Sequence, residues 1–328
     1  MQNTELIERF NGLTALVVGD VMLDAYSKGM IERMSPEAPV PIVSVKSRFN
    51  RLGGAANVAL NLKSLGARPI VCSIIGDDDH AKTLLRLMET HGLDCDGMVK
   101  SVKRVTTVKH RIFHDDKQVL RLDEEDTFDL TDEEHHALFG IIERKLEQSV
   151  DVIILQDYNK GILTEKMIQG IVALAKSKDI PVAVDPKKKN FFAYQGVKLF
   201  KPNAKELRDG LGLQAETIDE LQQAAKKLKE RLQCQYLMVT LSEKGVLILD
   251  GIHIHHLPAH QRNILDVSGA GDTVLSVAAL CLALRQDAKT IATLSNLAGG
   301  LVCEEIGVIP IDKERLAHEV EHLREDHD

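Results

Sequence analysis

The sequence predicts an α/β fold: a doubly wound, mostly parallel sheet flanked by helices, with a small β lid beside it. Segments of strand and helix period alternate almost throughout, the pattern of a sheet covered by crossover helices. The first strand, Thr14 to Asp20, is a continuous apolar run closing on a carboxylate, as a strand buried on both faces would be. Two stretches, Pro36 to Arg48 and Val105 to Leu122, break the alternation and read as extended segments with polar residues interleaved.

After the first strand, Ala55 to Gly66 has helical spacing at Val58, Leu62 and Leu65 and stops at a glycine. Strand–helix pairs follow at Ile70–Ile75 with Ala81–His91 and at Val152–Gln156 with Thr164–Lys178, and a further strand at Val182–Asp185. Tyr236–Leu241 and Val246–Leu249 look like paired strands around the turn Ser242–Gly245. The rest is helical, from Asp272 to about Leu284, Ala288 to Glu305 and Lys313 to His322. The two extended stretches can pair as a sheet outside the main layer, with lid segments at about 26–50 and 95–123. No repeat, low-complexity tract or linker divides the chain, so one domain over residues 1–328 plus its lid is expected.

With 328 residues, 44% hydrophobic and 27% charged, the composition suits a domain with a real core. A formal charge of −8 argues against nucleic acid as a partner, which needs a basic stripe. A small phosphorylated ligand needs only a few local cations. The five cysteines (Cys72, Cys95, Cys234, Cys281, Cys303) lack zinc or redox spacing and read as buried free thiols. The first residues form no leader pattern and no apolar run approaches membrane-spanning length, so a cytoplasmic protein without a membrane partner is expected.

The strongest chemical signal is Asp266-Val267-Ser268-Gly269-Ala270-Gly271-Asp272-Thr273, followed at once by an apolar helical pattern. Glycines let the backbone turn sharply and leave N–H groups unobstructed at a helix start, which attracts anions. A carboxylate there makes sense if Asp272 takes a hydroxyl proton while the amides of Ala270 and Gly271 hold a transferring phosphoryl group. A plain helix capped by Asp272 would look the same. The Walker pattern is absent, and a dinucleotide fingerprint would need glycine where Val274 stands. Gly53-Gly54-Ala55-Ala56-Asn57 opens another helix, with glycines that admit a ligand and an amide suited to a polyol; a simple loop-to-helix turn is the alternative. Asp20 and Asp24 lie just past the first strand's carboxyl end, where open α/β sheets bind ligands, and either grip sugar hydroxyls or cap turns.

Together, Gly-Gly-x-x-Asn early, Asn203-Ala204-Lys205-Glu206 midway and Gly-Ala-Gly-Asp late resemble the ribokinase or PfkB-type sugar kinases over essentially the whole chain. Gly19 to Asp24, Arg33-Met34-Ser35-Pro36-Glu37-Ala38-Pro39-Val40-Pro41 and Gly53 to Asn57 further resemble the D-glycero-β-D-manno-heptose 7-phosphate kinases. Asp157-Tyr158-Asn159-Lys160-Gly161 and Asp185-Pro186-Lys187 fit the same group. Those enzymes phosphorylate the anomeric C1 hydroxyl on the route to the ADP-heptose of lipopolysaccharide. With its end at Asp328, the chain is expected to be the stand-alone form, with a separate nucleotidyltransferase as a candidate partner. Gln156 departs from the small polar residue usual there, which bears on pocket shape.

The resemblance implies Asp272 as general base and Gly269, Ala270 and Gly271 as the anion hole. It implies that Asp20, Asp24, Arg33, Gly53, Gly54, Asn57, Lys109, Arg111, Asp157, Lys160 and Lys187 serve the sugar phosphate. Asn203 and Glu206 would lie near the Mg²⁺–phosphate end of ATP, Glu206 through water, or act as a capping pair. Thr240, Ser242, Gly245 and Asn296 would line the nucleotide pocket. A monovalent cation is a further candidate cofactor. Arg33, Lys187 and the same-face pair Lys109 and Arg111 are the candidate phosphate cations, although Lys187-Lys188-Lys189 also reads as a solvated loop. His253, His255 and His256 lack an acidic partner for a metal, and Asp77–Asp79 and Asp123–Asp126 read as solvated turns. A homodimer through the lid is expected, since its strand edges need covering. The rivals are a kinase for another sugar, a sensor without catalysis, and a ligand-free scaffold.

Overall fold

The computed structural model describes residues 3–325. Helix α1 (Asn3–Glu8) precedes β1 (Thr14–Gly19), and two long strands, β2 (Val21–Met34) and β3 (Pro41–Gly54), lead into α2 (Ala55–Ser64). Next come β4 (Arg68–Gly76), α3 (Asp79–Thr90), β5 (Met98–Ser101), β6 (Val108–His114), β7 (Lys117–Glu124) and α4 (Asp132–Lys145). Then follow β8 (Val152–Gln156), α5 (Glu165–Ser177), β9 (Val182–Asp185), β10 (Leu199–Phe200), α6 (Ala204–Leu211) and α7 (Ile218–Leu232). The chain finishes with β11 (Tyr236–Thr240), β12 (Val246–Asp250), β13 (His253–Leu257), α8 (Ala270–Ala283), α9 (Ala288–Val302) and α10 (Lys313–Glu325).

Among the described residues, nine strands form the main sheet in the order β13-β12-β11-β10-β9-β8-β1-β4-β5. Strands from β11 to β5 run parallel, and β12 and β13 close one edge antiparallel. Side chains alternate across this sheet. Ala15 and Val17 enter the core under α2, α8 and α9, whereas Leu16 and Val18 enter the core under α4, α5 and α7. Helix α8 is buried from Asp272 to Leu282, which is why its sequence is apolar on nearly every side. From β1 the chain builds outward to β5, then returns to build β8 to β13. The order reverses between β1 and β8, so their carboxyl ends flank a topological switch point.

The second sheet has the order β3-β2-β6-β7, and a single residue, Asp20, separates the end of β1 from the start of β2. Its first hairpin spans 21–54, wider than the 26–50 expected from sequence. The segment expected at 95–123 divides: β5 extends the main sheet beside β4, and only β6 and β7 enter the second sheet. Val105 to Leu122 is a hairpin, turned at Asp115 (φ +52°), an Asx-type position that tolerates this conformation.

Arg104 lies in the segment that leads from β5 to β6. Its side chain is 4% exposed, and Nε donates to Glu134 Oε1 of α4 at 3.2 Å. Its Nη1 donates to the Lys160 carbonyl at 3.1 Å, and the guanidinium lies over the Phe128 ring at 4.9 Å. Asp78 is not a solvated turn residue: it caps α3 and also accepts from the Thr106 amide at 2.8 Å.

Candidate active site

Helix α8 starts from Gly269 (φ +82°), and no side chain caps its first turn. The preceding turn is held by Asp266, whose carboxylate accepts from the Ser268 and Gly307 amides, both at 2.9 Å. The turn is thus fixed, and the helix start remains suited to an anion. A Cβ at Gly271 would lie 3.8 Å from both Asp185 Oδ2 and Lys201 Nζ, so the glycine opens toward that ion pair.

Asp272 sits in the first turn of α8 and is 4% exposed. Asn57 Nδ2, from α2, donates to its Oδ2 at 2.7 Å. Gln156 Nε2, from the end of β8, donates to Oδ1 at 3.0 Å, and the Tyr158 hydroxyl donates to the same oxygen at 2.9 Å. Burial pushes the Asp272 carboxyl up to about 6, opposed by the bonds from Asn57 and Tyr158 and reinforced by the Asp185 charge. A carboxylate with this value is mostly ionised at neutral pH yet basic enough to accept a proton.

At the switch point Asp20 is 1% exposed, and its Oδ2 accepts from the amides of Tyr158 (2.7 Å) and Lys160 (3.2 Å). Burial, then the Asp157 charge, pushes its carboxyl up to about 7. Asp157 accepts from the buried Tyr194 hydroxyl at 2.8 Å. Asp20 therefore ties the loop after β8 to the end of β1, and that loop presents Tyr158 to Asp272. On the next strand Asp185 pairs with Lys201 Nζ at 2.8 Å and lies 3.6 Å from Lys187 Nζ. Burial pulls Lys187 down, but the Asp185 and Glu206 carboxylates outweigh it and hold the ammonium above its ordinary value.

Gly53 and Gly54 admit the protein itself. A Cβ on Gly53 would stand 2.3 Å from Asp24 Oδ2, and one on Gly54 (φ +58°) would stand 2.3 Å from the Asp20 carbonyl oxygen. Asp24 in turn pairs with Arg111. Lys109 lies 3.6 Å from Asp123 and 3.7 Å from Glu125, and Lys160 pairs with Glu125 at 2.7 Å. The Asp123–Asp126 run is thus partly an ion-pair ladder between the second sheet and the loop after β8. Arg33 is exposed near the tip of β2.

Asn203 and Glu206 form a capping box on α6, with both backbone bonds at 2.8 Å, and the second Glu206 oxygen binds Lys187. Asn203 bridges Thr240 at the end of β11. Ser242 is exposed, the Gly245 backbone (φ +87°) passes close to Leu257, and Asn296 donates to the Pro258 carbonyl at 2.9 Å. Among the described residues no hydrogen bond or ion pair joins Arg33, Ser242, Gly245 or Asn296 to the Asp272 cluster. His256 binds the Lys244 carbonyl at 2.8 Å, and no cluster of three metal-ligating side chains occurs among the described residues.

Lys201 and Tyr158 are not among the site residues expected from sequence, where Gln156 stands out only as a departure. A lysine closing the apolar run Leu199-Phe200 was the available signal for the first, since a charge there must be paired.

The fold is that of the ATP-dependent sugar kinases. The chain belongs to the pfkB family carbohydrate kinases, whose family model matches residues 14–314. It is 41% identical over 306 residues to the bifunctional protein HldE of Methylobacillus flagellatus, covering 93% of this chain and 63% of that protein. The HldE of Mesorhizobium japonicum is 37% identical over 310 residues, with 94% and 62% covered. The chain thus spans less than two thirds of the length of these curated relatives. In fold it is similar to phosphofructokinase-2 from Escherichia coli in complex with substrates and products (TM-score 0.78, 18% identity, 94% and 99% of the two chains). Arabidopsis thaliana ribokinase complexed with ribose and ATP is likewise similar (TM-score 0.72, 17% identity, 93% and 99%). No described helix is long and apolar enough to cross a membrane.

Proposed function

We propose that the chain transfers a phosphoryl group from Mg·ATP to the anomeric C1 hydroxyl of D-glycero-β-D-manno-heptose 7-phosphate, in the route to ADP-heptose. The carrying observation is the Asp272 carboxylate, buried beside an uncapped helix start and raised to about 6. Asp272 takes the hydroxyl proton, while the amides at Gly269, Ala270 and Gly271 stabilise the negative charge. Lys201 and Lys187 add positive charge on the side toward which Gly271 opens. The uncapped α8 start suits a triphosphate, and ATP supplies the phosphoryl group when bound. Glu206 has both oxygens engaged, so it would meet Mg²⁺ through water, as that ion favours. A reaction fed by ATP belongs to the cytoplasm.

The heptose assignment is supported by the Gly19–Asp24, Arg33–Pro41 and Gly53–Asn57 motifs and by relatives named HldE. Arg33 remains the exposed candidate for the 7-phosphate, whereas Lys109 and Arg111 already serve carboxylates. The second sheet acts as a lid over the sugar, and residues 1–328 form one domain with it. Its edge strands β3 and β7 expose Val45, Val119, Leu120 and Leu122, which favours a homodimer through this sheet.

The test is ADP release with Mg·ATP against heptose 7-phosphate, sedoheptulose 7-phosphate, ribose, fructose and fructose 6-phosphate. Turnover confined to heptose 7-phosphate is expected. Preference for another sugar would discard the heptose assignment, and ATP binding without turnover on any of them would favour a sensor.

A further inference from the structure

We propose that Gln156 and Tyr158 are positioning residues that occupy Oδ1 of Asp272 and leave Oδ2 as the oxygen that takes the substrate proton. This rests on Asp272 being the base. Each carboxylate oxygen offers two lone-pair directions. On Oδ1 both are used, by the Gln156 amide at 3.0 Å and the Tyr158 hydroxyl at 2.9 Å. On Oδ2, among the described residues, only Asn57 donates, at 2.7 Å, so one direction stays available to a hydroxyl. Proton transfer then moves the sugar O–H proton to Oδ2 as the sugar oxygen bonds to phosphorus and the phosphorus–oxygen bond to ADP breaks.

The donors cannot follow a rotation of the carboxylate. Gln156 is the last residue of β8, is 0% exposed, and pairs with Gly19 on one side and Asp185 on the other. Flipping its amide would set oxygen against oxygen, so Asp272 fixes its orientation; Oε1 then has no partner among the described residues. Tyr158 is held by the bond from its own amide to Asp20 and carries the Lys187 ammonium 5.4 Å above its ring. Burial, then the Asp272 charge, keeps its phenol well above the ordinary range, so it stays a donor. The other charges facing Asp272 are Asp185, Lys201 and Lys187, and none is altered by removing these two donors.

Tyr158→Phe and Gln156→Met each delete one bond that favours the ionised carboxylate. The Asp272 midpoint should therefore rise, by roughly one pH unit for a hydrogen bond to a charged group. The measurement is a ¹³C-carboxyl NMR titration of aspartate-labelled protein without substrate, with Asp272→Asn identifying the resonance. The acid limb of kcat/KM should move up in step, with kcat lowered about fivefold at pH 6 and KM little changed. Should one variant prove too unstable to titrate, the other carries the test. An unshifted midpoint in a folded variant would overturn the proposal. A shifted midpoint with an unmoved acid limb would instead remove Asp272 as the base and the mechanism above with it. A crystal structure with the turned-over sugar phosphate should show its hydroxyl on Oδ2; contact at Oδ1 would refute the assignment.

Discussion

Asp272→Asn should lower turnover by ~10²–10⁴, the usual worth of a positioned base, while the protein remains folded. The sign of the stability effect follows from linkage. Burial raises the Asp272 carboxyl above its ordinary 3.8 to about 6, so ionising it costs the folded state stability as pH climbs between those values. Above pH 6 that cost is fully present, and the neutral amide escapes it. Against this gain stands one donor facing another, because the new amide must meet Asn57. The two effects oppose each other, and the melting temperature at pH 7.5 should stay within a few degrees of the parent. ADP release and a thermal melt on the same preparation check both halves. Near-normal turnover would refute Asp272 as the base.

The second large effect is structural. Glu134→Ala strands the Arg104 guanidinium, which is buried, and also removes the acceptor of the Ser101 hydroxyl (2.5 Å) and the Thr131 amide (2.8 Å). Breaking a buried pair by deleting one partner typically costs ~3–5 kcal/mol, because a charge is left uncompensated. Urea unfolding should show a loss of that order, and Arg104→Met with Glu134→Leu together should recover much of it. A single-variant loss below about 1 kcal/mol would contradict this reading of the pair. The same group gives a pH signature. Burial would raise Glu134, but the bonds from Ser101, Thr131 and Arg104 outweigh it and hold the carboxyl at about 2. Its contribution is present above the ordinary 4.5 and should disappear as pH falls from there toward 2.

Strand and helix periods made the main sheet legible, and α8 and α9 were plain because their residues are apolar along most of their length. Helices α4 and α7 are absent from the sequence expectation although each opens with a Thr-x-x-Glu capping box, at Thr131–Glu134 and Thr217–Glu220. Their moderate apolar content hid behind charged outer faces. Strand β2 was harder to see, since Lys28, Gly29 and Glu32 weaken any strand signal and pairing with both β3 and β6 decides it. At the site, Asp272 and Asn57 could be singled out from motifs. That Asn57 serves Asp272 could not, because the residues stand 215 positions apart and only the packing of α2 on α8 joins them. The fate of Lys109 and Arg111 was equally hidden: a shared face on a strand was predictable, but not the carboxylates opposite.

The near-continuity of β1 and β2 has a mechanical meaning. From Thr14 to Met34 the chain is extended, with a break at Asp20 and shifts in the β2–β3 register at Lys28/Gly29 and Ile31/Arg33. The β2 portion, at ~3.3 Å per residue, makes a cantilever about 45 Å long. Its root is clamped in the middle of the main sheet, between β4 and β8, beside the Asp20 tether. From Val21 to Lys28 the pairing with β3 is regular, so displacing that part must twist the ribbon along its length, and the torque arrives at Gly19, next to Gln156. Amide exchange should therefore slow progressively from Met34 back to Val21, without a sharp step marking a hinge.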